Sequence, residues 1–374
     1  MKRIFYIVIL LAGCKEVYNP TLDNHNLNYL VVEGNIFPGD STYIRLSRSV
    51  PVNDSSVVYP ETYATVSVES EDGSETYTLE DQLNGFYFSP FLPLNSPKQY
   101  RLHIFAADGK EYASDYVPVK VTPPIDSISW KLDASGGVTI YANSHDASNT
   151  TQYYRWEYVE TWEHNPKYFS QLVYDASVGG VRQRRPDEQI YRCWNTNTSS
   201  DILLASTVGL SGDVVHEKPL IAIPYGSEKI DNVYSILVTQ YALTKGAYEF
   251  WNNLKKNTEQ LGSIFDPQPF ADYGNIHCIS NSSEPVLGYV TACTVVQQRI
   301  FIHWTDVQWP YSYPSCNDTL VTGSHISQLF SGTEYLPVQY DPSYPPGTAV
   351  DGALKDCVDC RLHGGSTVKP PYMP

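Results

Sequence analysis

No stretch of this sequence is long and apolar enough to cross a bilayer as a helix. The run Ile4–Leu11 has eight residues, against about 20 for a spanning helix. Nothing later in the chain approaches that length. Positive charge is also scarce: 25 Lys and Arg stand against 41 Asp and Glu, a net charge of −16. So acidic a chain is repelled by nucleic acid and by anionic headgroups, which excludes both as electrostatic partners. The densest basic cluster, Arg182-Gln183-Arg184-Arg185, reads as a solvated loop. Motifs that carry chemistry are missing too. There is no phosphate-cradling glycine loop and no dinucleotide fingerprint. The nine histidines are scattered, and no two are four residues apart. His277 and Cys278 are neighbours, but on a strand they point to opposite faces. Ser211 lies in "GLSGD", whose glycines are misplaced for a nucleophile elbow. "SEDGSE" lacks the ligand ladder of a calcium loop and reads as a charged hairpin tip. No catalytic residue, metal site or cofactor is assigned.

What is present begins with an address. Lys2 and Arg3 precede the apolar run, and Leu11-Ala12-Gly13-Cys14 ends it. This is a secretory signal with a cysteine where ordinary cleavage needs none. The four residues resemble the bacterial lipobox, in which the cysteine thiol takes a diacylglycerol. Residues 1–13 are therefore expected to be a signal peptide and 14–26 a tether, with Cys14 lipidated. Several acyl chains on one residue make a stable anchor. Loss of Lys2 and Arg3 raises the acidic excess from 16 to 18. Cys14→Ala is expected to move the protein into the soluble fraction; persistence in membranes would put the anchor elsewhere.

Six cysteines remain: Cys193, Cys278, Cys293, Cys316, Cys357 and Cys360. An even number in an exported chain points to disulfides, and six allow 15 pairings. Cys357-x-x-Cys360 also has zinc-ligand spacing, but a second matching pair is missing. The second domain is expected to be stapled by bridges between distant segments.

Tyrosine is abundant at 30 residues, with 26 Pro and 23 Gly, a composition of strands punctuated by turns. Asp72-Gly73 and Asp108-Gly109 each sit between alternating runs, as hairpin turns do. Their spacing predicts an Ig-like β-sandwich over 27–122. Pro123-Pro124 reads as a stiff linker, and 125–374 as a larger β-rich domain. There "SISWKLD" and "GGVTIYA" pair. "TQYYRWEYVETW" sets Tyr154, Trp156 and Tyr158 against Tyr153, Arg155 and Glu157. One prominent helix is expected near 245–261, with Ala247, Phe250, Trp251, Leu254 and Leu261 on one face. "EPVLGYVTACTVVQQ" and "RIFIHW" read as two further strands. Past Thr305 the chain should be mostly loop. The fold class is mostly β. Trp304, Trp309, Tyr311 and Tyr313 crowd a proline-containing loop and are candidate ligand or partner contacts.

The run from Tyr234 to Ala292, with "LVVEGNI", Cys193-Trp194 and "CVDCRLHGGSTVKP", is similar to the domain-of-unknown-function 4249 family (DUF4249) of Bacteroidota lipoproteins. The ending Pro371-Tyr372-Met373-Pro374 departs from the aromatic finish usual in that family. The resemblance implies a non-catalytic outer-membrane surface lipoprotein, partner to a TonB-dependent transporter of the starch-utilisation type in nutrient import. The alternatives are a free-standing glycan- or peptide-binding lipoprotein and a hydrolase with an unrecognised site.

Overall fold

A computed structural model describes residues 28–50, 58–259, 274–309 and 316–374. Cys14, the signal peptide, the tether, Leu261, Tyr311 and Tyr313 lie outside these residues.

The fold is mostly β: an N-terminal Ig-like sandwich followed by a larger β-rich unit with one long helix. In the first unit the strands run in the order Leu30–Gly34, Thr42–Arg48, Phe86–Ser89, Thr76–Asp81, Thr65–Ser70, Gln99–Phe105, Glu111–Ser114. Thr76–Asp81 pairs on both sides, so one continuous hydrogen-bonded path folds over itself. Period-2 patterning decides what it encloses. Along Gln99–Phe105, Tyr100, Leu102 and Ile104 are buried while the residues between them reach solvent. Both expected hairpins form, at Asp72-Gly73 and Asp108-Gly109.

The boundary expected at 122–125 is crossed. Residues 274–293, late in the chain, return to the first unit. Ile276–Cys278 extends its sheet beside Glu111–Ser114. Val32 N–H donates to Leu287 O at 2.8 Å and Ile36 N–H to Thr291 O at 2.8 Å. Val286, Val290 and Ala292 then fill the same core as Leu30 and Ile36. Nor is Pro123-Pro124 a free linker. Gln240 Nε2 donates to Pro123 O at 2.9 Å, Ala242 N–H to Thr122 Oγ1 at 3.0 Å, and Thr122 N–H to Thr294 Oγ1 at 2.9 Å. The buried amide of Gln240 gains partners this way, so the joint is held rather than hinged.

The second unit packs a three-stranded sheet, Ile125–Leu132, Val138–His145 and Val214–Ile223, on a five-stranded one. The central strand of the latter is Tyr153–His164. It pairs with Val233–Ala242 on one side and with Cys193–Thr198 and Leu203–Ser206 on the other. Tyr154, Trp156 and Tyr158 face the core, as the alternation predicts. The two strands expected at 284–304 are instead one long strand, Val295–His303, preceded by the short Ala292–Cys293. The ladder is continuous across Gln297-Gln298, with Gln297 exposed and Gln298 half-buried, so neither interrupts it. Past Thr305 the expectation of loop also fails. Asp318–Thr322, Tyr335–Tyr340 and Ala349–Leu354 form a three-stranded sheet, with a helix at His325–Phe330. Each strand is short and lacks a core of its own. Leu172, from the hairpin Leu172–Asp175/Gly180–Gln183, completes the cluster with Val321, Ile326, Phe330 and Val350.

Candidate functional site

A cleft of about 650 Å³ opens where three distant pieces of chain meet. The first strand supplies Val31 to Asn35, the returning segment supplies Leu287 to Tyr289, and the helix Lys245–Glu259 supplies Phe250, Trp251 and Leu254. The volume is that of a small-molecule or short-peptide site, and interfaces between units are where such sites concentrate. The helix explains why the cleft stays open. Its apolar face is the one predicted, but only Ala247 is fully buried, while Phe250, Trp251 and Leu254 are half-buried. Phe250 reaches the opposite wall, with ring centroids 5.2 Å from Tyr289 and 5.6 Å from Trp251.

The cleft is not purely apolar. Strand alternation that buries Tyr154 and Trp156 sends Arg155 and Glu157 the other way, into it. Arg155 is only 7% exposed. Its guanidinium carbon lies 4.2 Å from the Trp251 ring centroid and 4.7 Å from that of Tyr241. Nη1 meets Glu157 Oε1 at 2.8 Å, and Tyr241 donates its hydroxyl to Glu157 Oε2 at 2.7 Å. Burial, reinforced by Glu157, pushes the Tyr241 hydroxyl pKa up, so it stays a donor. Arg155 Nε is buried with no protein partner. A cation held between two aromatic faces gives the cleft a charged, polar end. Two glycines let the walls approach. Gly34 (φ +131°) and Gly288 (φ +136°) adopt conformations that L side chains avoid. A Cβ on Gly288 would overlap the Val32 carbonyl oxygen.

The cysteines resolve into two bridges, Cys193–Cys360 and Cys316–Cys357, spanning 167 and 41 residues. The two halves of Cys357-x-x-Cys360 thus go to different partners, not to one ion. Cys278 and Cys293 are free and buried, which corrects their candidacy as disulfide residues. Burial pushes the Cys293 thiol up to about 11. The aromatic loop divides. Trp309 is 3% exposed and belongs to the second unit's core, so it is no contact residue. Trp304 is 44% exposed and donates from Nε1 to Trp309 O at 2.7 Å. The C-terminus packs as well. Arg299 lies 3.8 Å over the Tyr372 ring, and Met373 is buried.

Sequence reasoning named the helix face and the second face of the Tyr153–His164 strand, but did not join them. The available signal was a charged pair, Arg155 and Glu157, on an otherwise aromatic strand. Among the described residues, the cleft is lined by neither histidine nor cysteine, and its carboxylates are Glu33 and Glu157. Glu33 is paired with Arg45 at 3.3 Å. Among the described residues, a grouping of three metal-ligating side chains occurs at His164, Glu228 and His363. His164 is nine residues along the strand from Arg155, about 30 Å away.

No curated protein matches the chain. Among solved structures, a two-domain fibronectin type-III segment from chicken tenascin is similar at 14% identity and a TM-score of 0.18, covering 58% of this chain and 91% of that one. The family model described as Domain of unknown function (DUF4249) matches residues 15–299, three quarters of the sequence and both units of the fold, and the chain belongs to that family.

Proposed function

We propose that this protein is a non-catalytic, lipid-anchored surface protein that captures a ligand in the cleft between its two units and works beside a TonB-dependent outer-membrane transporter. The observation that carries the capture step is the aromatic cleft with Arg155 at its polar end. Among the described residues, its lining offers apolar faces and fixed hydrogen-bonding groups but no paired nucleophile and base, which favours binding over chemistry. The ligand class that fits is a short glycan or peptide: a face to stack on Trp251 and Phe250, and an acceptor for Arg155. A tether at Cys14 would hold the cleft at high effective concentration near a membrane partner. The glycan- or peptide-binding reading therefore keeps its chemistry, with the cleft replacing the Trp304–Tyr313 loop as its site.

Two measurements test this. Chain extracted from native membranes in mild detergent should bring a barrel transporter with it; recovery of the chain alone defeats the partnership. Tryptophan fluorescence against an oligosaccharide and peptide panel should reveal a binder. Trp251→Ala, on the half-buried helix face, should weaken it at least tenfold, about 1.4 kcal/mol. Unchanged affinity in that variant would remove the cleft from the function.

A further inference from the structure

The second unit carries a feature that ligand capture does not use. His164 ends the strand Tyr153–His164, Glu228 begins the short turn Glu228–Ile230, and His363 ends the turn Cys360–His363. Their ligand atoms all lie within 4.8 Å of one another. The imidazole rings are 4.7 Å apart, and His164 Nδ1 is 3.8 Å from Glu228 Oε2. His164 is 1% exposed, yet neither of its ring nitrogens has a hydrogen-bond partner. A buried imidazole in that state is costly unless something else takes its lone pair.

We propose that His164, Glu228 and His363 bind a divalent transition metal ion, with zinc the expected occupant. Two imidazoles and one carboxylate are a zinc donor set of the open type, with a fourth position left for water or a ligand. Zinc–ligand bonds of about 2.0–2.1 Å put tetrahedral donors roughly 3.3 Å apart. The 3.8 Å between His164 and Glu228 is thus about half an ångström wider than the bound arrangement. The widest separation in the group, within 4.8 Å, exceeds the bound value by up to about 1.5 Å, so the half-buried Glu228 and the exposed His363 rotate inward on binding. His363 is already oriented. Its Nε2 donates to Asp356 O at 3.0 Å, which leaves Nδ1 with its lone pair. A backbone carbonyl on the far nitrogen is a common outer partner of metal-binding histidines.

The placement follows from the covalent framework. His164 sits opposite Cys193 in the strand ladder. Cys193 is bonded to Cys360, and His363 is three residues further on. The disulfide therefore pins one histidine against the other, although 199 positions of sequence separate them. The mouth of the site faces solvent at His363, so an ion can enter without unfolding.

The test uses the untagged full chain, stripped with a chelator and titrated with zinc against a chromophoric competitor. One equivalent should bind with a micromolar or tighter Kd. His363→Ala changes an exposed side chain and should leave the circular dichroism spectrum unaltered while weakening zinc at least 30-fold. Glu228→Gln should weaken it about tenfold. Cobalt(II) in place of zinc should give the visible absorption of a tetrahedral site, lost in His363→Ala. Failure to take up one equivalent would overturn the proposal. So would zinc affinity unchanged in His363→Ala, since scattered surface carboxylates would then be the binders.

Discussion

Replacing Cys193 and Cys360 together by alanine is expected to cost about 4–5 kcal/mol of stability. The bridge closes 167 residues of chain. The second bridge, Cys316–Cys357, offers a shorter path, but the loop that remains is still roughly 130 residues, and the entropy term grows only with its logarithm. The segment it anchors is otherwise held by a few backbone hydrogen bonds, among them Tyr168 N–H to Cys357 O, Cys360 N–H to Ile190 O and Trp194 N–H to Ser366 O, and by a small core. The core behind it consists of Ile190, Cys316, Val338, Ala353, Cys357 and Val358, with both bridges beside or within it. A small core of this kind depends on its staples. Chemical denaturation of the double variant should show a lower midpoint, and an unchanged midpoint would show that the unfolded chain gains nothing from the lost constraint. Thiol counting checks the same map. Native protein should expose no reactive thiol among the six downstream cysteines. Unfolding without reductant should release two, Cys278 and Cys293, the latter buried and hard to ionise.

The second large effect is expected at Glu160. This carboxylate is fully buried, with its partners arranged around it. Oε1 accepts from Lys229 Nζ at 2.6 Å and from Asn197 Nδ2 at 3.0 Å; Oε2 accepts from the Tyr234 hydroxyl at 3.0 Å. Glu160→Ala removes the acceptor and leaves those donors behind. Lys229 can regain water, since a quarter of its side chain is exposed, but Tyr234 is fully buried and cannot. A loss of about 3–5 kcal/mol follows from breaking such a buried pair on one side. Glu160→Gln keeps an oxygen and the side-chain volume and should lose markedly less. Urea titrations of the two variants beside the parent decide this. Equal losses in both would mean that the paired charge, absent from both variants, rather than side-chain shape sets the stability here. Adding Tyr234→Phe to Glu160→Ala should recover part of the loss, because the orphaned hydroxyl is then gone.

Glu160 lies on a strand evident from alternation alone, whereas Cys193 and Cys360 lie on a strand and a turn that alternation did not mark, and neither magnitude could be foreseen from it. "TQYYRWEYVETW" declares a strand with an aromatic face. That Glu160 is buried beneath Lys229 depends on a turn residue 69 positions away. The same limit explains the failures. "DTLVT" and "AVDGAL" are too short and too interrupted to declare themselves, and they become strands only when the Leu172 hairpin covers them. Trp309 looked like a surface aromatic because it follows a strand and precedes a proline, but its ring fills the core beneath Tyr225. The C-terminal ending packs because Tyr372 places a ring under Arg299 and its hydroxyl 3.0 Å from Thr161 Oγ1.

What the sequence determined by itself is local. Period-2 runs and Asp-Gly turns placed the hairpins, and 3.6-residue spacing placed the helix and its apolar face. These signals reside in neighbouring residues and need no distant partner. The tertiary structure alone decided which cysteines pair, where residues 274–293 return, and which side chains meet in the cleft and at His164. Each of those is a contact closed over tens to hundreds of residues. Its free energy comes from a core that exists only once the whole chain has collapsed, so no local pattern can encode it.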